Sequence, residues 1–236
     1  MMKKNGFTLA EVLITLSIIG VVATLTLPAL MTNTGEQQAK TALKKGINTL
    51  TEAAQMNQVI AGFDYAGCVE KMDNTSSPNP DQQSLYGLLA QRASVDFGKS
   101  GVNKQKSFQG TGGTNAMAAA NYTVFFRDGS SLSFGNTVTS TAGGGAKAAN
   151  EIQSDGLPYG IVALFDTNGI KGPNIVSNCE GKIAGVAKET VKDDPADNAA
   201  CGNKTNRVIK DQFGVRLRGG YAVPNGTAAR WAFGEG

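Results

Sequence analysis

The alternation of apolar and polar positions changes character along the chain. From residue 7 to residue 30 the chain is predominantly apolar, and Glu11 is the single charge between Phe7 and Met31. As a helix this run is about 36 Å long at ~1.5 Å per residue, against a bilayer core of ~30 Å. The pattern therefore predicts a membrane-spanning helix, longer than the ~7–15 apolar residues of a secretory signal. No second such stretch occurs, so one crossing is expected. Lys3 and Lys4 before it keep the N-terminus on the cytoplasmic side and leave the rest outside. Pro28 removes a helical N–H and crowds the preceding turn, which predicts a kink or unwound patch taking in Gly20 to Thr26.

Residues 36–61 switch to a helical stripe. Ala39, Leu43, Ile47, Leu50 and Ala54 recur at spacings of 4, 4, 3 and 4, one face of a helix, with Lys40, Lys44, Lys45 and Glu52 off it. The span is thus expected to continue as one amphipathic helix up to a stop at Gly62-Phe63-Asp64. Gly35 and Gly46 weaken it by ~1 kcal/mol each relative to alanine.

Beyond residue 63 the period drops to that of strands. Residues 84–93 read as a short helix carrying Leu85, Leu88 and Leu89. Residues 122–127 and 130–134 flank Asp128-Gly129, the dipeptide of a tight hairpin. Residues 142–149 read as a Gly/Ala loop and residues 159–166 as a strand ending at Asn168-Gly169. Residues 212–217 and 221–223 flank Gly219-Gly220, and residues 229–233 read as a last strand. The fold class expected is α+β: a long N-terminal helix whose amphipathic half packs on an antiparallel sheet of about four or five strands.

Composition narrows the chemistry. The chain of 236 residues contains no histidine, which excludes Ser-His-Asp and Cys-His catalysis and His-ligated metals. Three cysteines are too few for a four-Cys metal site. A formal charge of +3 gives no basic footprint for nucleic acid. Lys204, Arg207, Lys210, Arg216 and Arg218 alternate with other residue types and read as a solvated face. Gly110–Gly113 lacks the Gly-Lys-Ser/Thr of a phosphate loop. Asn74, Asn121, Asn203 and Asn225 open N-x-Ser/Thr triplets, which Thr/Asn/Gly-rich loops produce freely. An enzyme is not expected.

Glu11 carries the sharpest signal. A carboxylate in a bilayer costs ~2.5–3.5 kcal/mol on insertion scales, less near an interface. No Lys or Arg follows it until Lys40. A cut after Gly6 would give Phe7 a new ammonium four residues before Glu11, able to pair with it on its own helix or on a neighbour. The run Lys3-Lys4-Asn5-Gly6-Phe7-Thr8-Leu9-Ala10-Glu11-Val12-Leu13 resembles the processing signal of type IV pilins and type II secretion pseudopilins. In that family a prepilin peptidase cuts after the glycine and methylates the new N-terminal phenylalanine. The resemblance implies processing at Gly6 and Phe7, with Glu11 setting axial register. It divides the chain into a leader (1–6), a transmembrane helix (7–31), its amphipathic continuation (32–62) and a β-rich head (63–236).

The cysteines and one acidic loop complete the reading. Cys179 and Cys201 enclose a polar stretch, and outside the membrane a disulfide is allowed. Cys179–Cys201 is the expected pair, while Cys68–Cys179 and Cys68–Cys201 remain open. The loop Asp166-Thr167-Asn168-Gly169 resembles a stretch seen in pilin-like proteins, with Lys210-Asp211-Gln212-Phe213 as its later partner. Asp166, Asn168 and Asp211 together offer oxygens to a calcium ion, although Ile170 replaces a third acid and no bidentate Glu follows. A plain Asn-Gly turn is the simpler reading.

Taken together, the sequence reads as a structural subunit of a type IV pilus or related filament. Its expected partners are copies of itself, other pilins, the prepilin peptidase and the membrane. Its expected location is the inner membrane, then a surface or periplasmic filament. The alternatives are a pseudopilin of a type II secretion system, or a membrane-anchored binding domain that never polymerises.

Overall fold

The computed structural model describes residues 7–68, 83–102, 122–134, 139–141, 146–148, 152, 158, 160–169, 171, 174–179, 201–202 and 207–234. The chain divides into two compact units, Met1–Gln38 and Ala39–Gly236. Helix α1, Leu9–Ala61, runs through both.

In the first unit α1 has nothing of its own to pack on. Leu9–Leu27 is 19 residues with mean hydropathy 2.1 and no part buried. Its hydroxyls are turned inward along the helix. Thr15 donates to the Val12 carbonyl at 2.9 Å and Ser17 to Leu13 at 2.8 Å. Thr24 and Thr26 donate to Val21 and Val22 at 2.9 and 3.0 Å. Back-bonding of this kind removes the cost of carrying polar atoms in hydrocarbon. The unwound patch expected before Pro28 is absent: the helix is continuous from Leu9 through Ala61. Loss of one backbone bond at proline does not break a helix whose neighbouring turns are all formed.

In the second unit the stripe Ala39, Leu43, Ile47, Leu50 and Ala54 is buried, as its spacing requires. Gly62 ends α1 with φ +79, a left-handed turn that glycine adopts without strain. Asp64 then caps a 3-10 turn, Tyr65–Gly67, accepting from the Ala66 and Gly67 N–H groups. The buried Tyr65 hydroxyl donates back to the Leu50 carbonyl at 2.6 Å. Helix α2, Leu85–Arg92, starts one residue later than expected, at an N-cap Ser84 whose hydroxyl accepts from Gly87 N.

The strands are β1 Gly101–Val102, β2 Tyr122–Phe125, β3 Ser131–Phe134, β4 Thr139–Thr141, β5 Ala146–Ala148, β6 Ile161–Asp166, β7 Gln212–Arg218 and β8 Tyr221–Pro224. Six of them form a sheet in the order β1-β2-β3-β6-β7-β8, with every pair antiparallel. Five of these carry four or more residues, and β1 adds a two-residue edge. Val124, Leu132, Phe165, Phe213, Val215 and Leu217 alternate onto one buried face. That face meets α1: a Cβ at Gly46 would overlap the Phe165 ring. At the other edge Ala222 N–H donates to the Thr51 hydroxyl at 3.1 Å, so α1 covers a strand edge that would otherwise invite pairing.

Three further expectations need correction. Residues 229–233 are not a strand but part of helix α3, Thr227–Phe233. Ala228, Ala229 and Ala232 recur at 1, 3 and 4 and are buried, a helical period that an apolar count alone misses. The Gly/Ala stretch read as a loop contains β5, which pairs with β4 in a separate two-stranded ribbon. At Asp128-Gly129 the hairpin loop is longer than two residues. Phe126 N–H donates to Ser130 O, and Gly129 N–H closes the turn on Phe126 O, with Gly129 at φ +96. This is a three-residue loop with its left-handed position last.

Gly46→Ala should destabilise the head by ~1–3 kcal/mol through overpacking against Phe165. Gly35→Ala, with nothing within 4 Å of its Cβ, should instead favour the helix by up to ~1 kcal/mol. Thermal unfolding followed by circular dichroism separates the two signs.

Candidate functional site

The helix start is the first candidate. Gly6 lies outside the described residues. Phe7 is exposed, and α1 begins two residues later. Glu11 is not without partners. Its Oε2 accepts from the Thr8 N–H and the Thr8 hydroxyl, both at 2.8 Å. Glu11 N–H in turn donates to Thr8 Oγ1 at 3.3 Å. This is a reciprocal capping box, with Thr at the N-cap and Glu three residues on. Sequence reasoning sought a cation for Glu11 and missed the hydroxyl three positions before it, although the T-x-x-E spacing was legible. The box holds the lone anion at the positive end of the helix dipole.

The second candidate, the acidic loop, is brought together as a pair of side chains. Asp166 is fully buried. Its Oδ1 accepts from Asn168 and Gly169 N–H at 3.0 and 2.9 Å, and its Oδ2 from Gln212 Nε2 at 2.9 Å. Asp211 binds the other end of the same loop. Its Oδ2 accepts from Asn174 N–H at 2.6 Å and its Oδ1 from Ile175 N–H at 2.8 Å. Gly169, at φ +64, lies so close to the Gly129 carbonyl of the β2–β3 turn that a Cβ would overlap it. Each carboxylate oxygen thus already faces an N–H donor. A calcium ion needs six to eight oxygens with their lone pairs turned inward. Among the described residues no group of three or more His, Cys, Asp or Glu side chains forms. Among the described residues, what Asp166, Asn168 and Asp211 build is a hydrogen-bonded turn.

Burial pushes the Asp166 carboxyl up to about 7, with the Gln212, Asn168 and Gly169 donors opposing and Asp211 adding to the shift. The cysteines divide as expected. Cys179 and Cys201 form a disulfide with their Cα atoms 4.8 Å apart, and both are buried. Cys68 is free and buried. Burial, with the nearby Asp64 charge, raises its thiol to about 12, so it is no nucleophile.

The basic run does not make a solvated face. On β7, Phe213, Val215 and Leu217 point to the core, and Arg216 stands on the opposite face, itself buried. Arg207 lies against Trp231, its guanidinium carbon 4.0 Å from the ring centre. Lys204 falls outside the described residues, as do Gly110–Gly113 and the triplets at Asn74, Asn121 and Asn203. Asn225 is buried.

Compared with known families, residues 1–27 match the prokaryotic N-terminal methylation motif, the signal of type IV pilins and pseudopilins. No curated protein and no solved structure matches the chain. The motif and the apolar helix together fit a membrane-anchored, pilin-like or pseudopilin precursor, and proteins carrying this motif are structural rather than catalytic.

The raised folded value of Asp166 fixes the sign of one prediction. Its contribution to stability is complete below about pH 4 and is lost as pH rises through about 7. Asp166→Asn stays neutral, and the Gln212 amide can turn over to meet it. Relative to the native chain, this variant should gain up to ~4 kcal/mol between pH 4 and pH 8. Denaturant unfolding of both proteins across that range checks it; a difference that does not vary with pH removes the assignment.

Proposed function

We propose that this chain is the precursor of a structural subunit of a type IV pilus or related filament. In this reading residues 1–6 are a leader removed after Gly6, and Phe7 becomes a methylated N-terminus. Residues 7–31 hold the precursor in the inner membrane, 32–62 continue the helix, and 63–236 form a head outside. Subunits then leave the bilayer and bundle through their apolar helices.

One observation carries the proposal. The methylation motif, residues 1–27, takes in the whole of an apolar rod, Leu9–Leu27, no part of which is buried. Leu13, Ile14, Ile18, Ile19 and Val22 each keep more than half their surface open. Lipid tails are as apolar as these side chains, so the rod is at rest in a bilayer. Out of the bilayer each such side chain costs ~1.5–3 kcal/mol until covered, and copies of the same rod cover it. Glu11 is proposed to meet the new Phe7 amine of a neighbour and so fix the axial step.

Mass spectrometry of sheared surface material tests this. The expected species starts at Phe7, bears one added methyl group, and contains the whole head. A large residue at Gly6 should leave the precursor uncut and reduce filament yield at least tenfold. A chain found only with Met1 intact, as a monomer in membranes with an active prepilin peptidase, would instead be an anchored binding domain. Processed chains confined to the periplasm, never sheared from the surface, would favour the pseudopilin of a type II secretion system.

Glu11→Ala should still be cut yet yield fewer filaments. Equal filament mass from the variant and the native chain would remove the register role.

A further inference from the structure

The segment that follows the disulfide is tied to α1 through a single aromatic ring. Asn178 and Val208 exchange two backbone hydrogen bonds at 2.8 Å, and Lys210 N–H donates to Ser177 Oγ at 2.9 Å. The chain on either side of Cys179 and Cys201 is thereby held as a short ribbon. Arg207, at its start, folds back. Its Nε donates to the Cys201 carbonyl and its Nη2 to the Gly202 carbonyl at 3.4 Å. The guanidinium then lies 4.0 Å from the centre of the Trp231 ring on α3. Lys40 of α1 places its Nζ 3.6 Å from the same centre. One turn on, Lys44 Nζ stands 3.6 Å from where a Cβ on Gly234, the C-cap of α3, would sit.

Two cations on one ring attract the ring and repel each other. Arg207 tolerates Lys40 because the two carbonyls hold it there. Those carbonyls belong to Cys201 and its neighbour, so their place depends on the bond to Cys179. We propose that Cys179–Cys201, Arg207 and Trp231 form a redox-dependent strap, in which closure of the disulfide holds the Arg207 guanidinium on the Trp231 ring of α3. With the bond open, Cys201 and Gly202 are free to leave, Arg207 loses its acceptors, and the Trp231 ring loses the guanidinium that covers it. The inference concerns the head alone and stands whether or not the chain forms filaments.

Opening the strap is ordinary thiol–disulfide exchange. A thiolate of an added dithiol attacks one sulfur, and its second thiol displaces the mixed disulfide. Two electrons and two protons pass to Cys179 and Cys201, and the dithiol is left as a disulfide. Closure reverses this, with an external disulfide as oxidant.

Trp231 is the one tryptophan of the sequence, so its emission reports the strap directly. The full chain in detergent micelles is compared before and after treatment with a dithiol, counting thiols in denaturant to verify one free thiol before and three after. Reduction should shift the emission to longer wavelength and raise the acrylamide quenching constant about twofold. Amides of Phe213, Val215 and Leu217 should remain protected from exchange. Arg207→Gln in the oxidised protein should show the same emission and quenching, and reduction should then change little more. If reduction unfolds the whole head, the oxidised Arg207→Gln protein decides alone: quenching equal to that of the native chain overturns the strap. Unchanged quenching on clean reduction of the native protein overturns it as well.

Discussion

One helix with two different side-chain patterns is the constraint from which the rest follows. From Leu9 to Leu27 α1 is apolar on every side and buries none of it, so this half is stable only among lipid tails or other apolar helices. From Ala39 onward the same helix is apolar on one stripe, and that stripe is buried. A helix cannot change solvent without a change in side-chain pattern, and the pattern changes within residues 31–39. The hydroxyls obey the same rule. Thr15, Ser17 and Thr26 bond their own helix, whereas Thr51, in the second half, also accepts from the sheet edge at Ala222. Polar groups on the all-apolar half look inward; those on the packed half are free to look across.

The sheet is shaped by the helix that lies on it. Glycine at position 46 lets the Phe165 ring reach the α1 backbone, and close approach of the helix lets Tyr65 reach the Leu50 carbonyl. The opposite face of the sheet carries buried polar side chains instead. Thr123 and Ser133 meet across β2 and β3 at 2.7 Å, and Asp166 meets Gln212 across β6 and β7. These pairs cost desolvation and return directional bonds. They fix strand register on a face where apolar side chains alone would allow slippage.

Much of this was legible from residue spacing. The 4-4-3-4 stripe of α1, its stop at Gly62, the Ser84 cap and the hairpin at Gly219-Gly220 follow from periods and turn chemistry that are local in sequence. So were the exposed rod and the processing signal. What was not legible is decided across space. Ala229 and Phe233 read as a strand because their helical period is only seven residues long and is anchored by Gly226 and Gly234. Arg216 read as solvated because its neighbours alternate, yet both faces of β7 are covered. At Asp166 and Asp211 the sequence offered a plain Asn-Gly turn first and a cation second, without saying which donors the acids meet. The backbone N–H groups of Asn168, Gly169, Asn174 and Ile175 claim those oxygens first, and no sequence pattern reveals that competition.

The same competition bears on Glu11. A carboxylate has about four lone-pair sites, and the capping box with Thr8 uses one of its oxygens twice. Thr8 follows the proposed cut, so its hydroxyl and its N–H both survive removal of residues 1–6. The box therefore persists in a processed chain, and the Phe7 ammonium does not arrive at a bare anion. It arrives at one whose position is already set by the helix end and whose second oxygen remains able to accept. That changes what a register contact requires. A flexible glutamate would have to be ordered at each addition, at a cost of ~1.5–2 kcal/mol in lost rotamer freedom. A capped one would be ordered before a neighbour came, so the proposed pairing would fix the axial step rather than still the side chain.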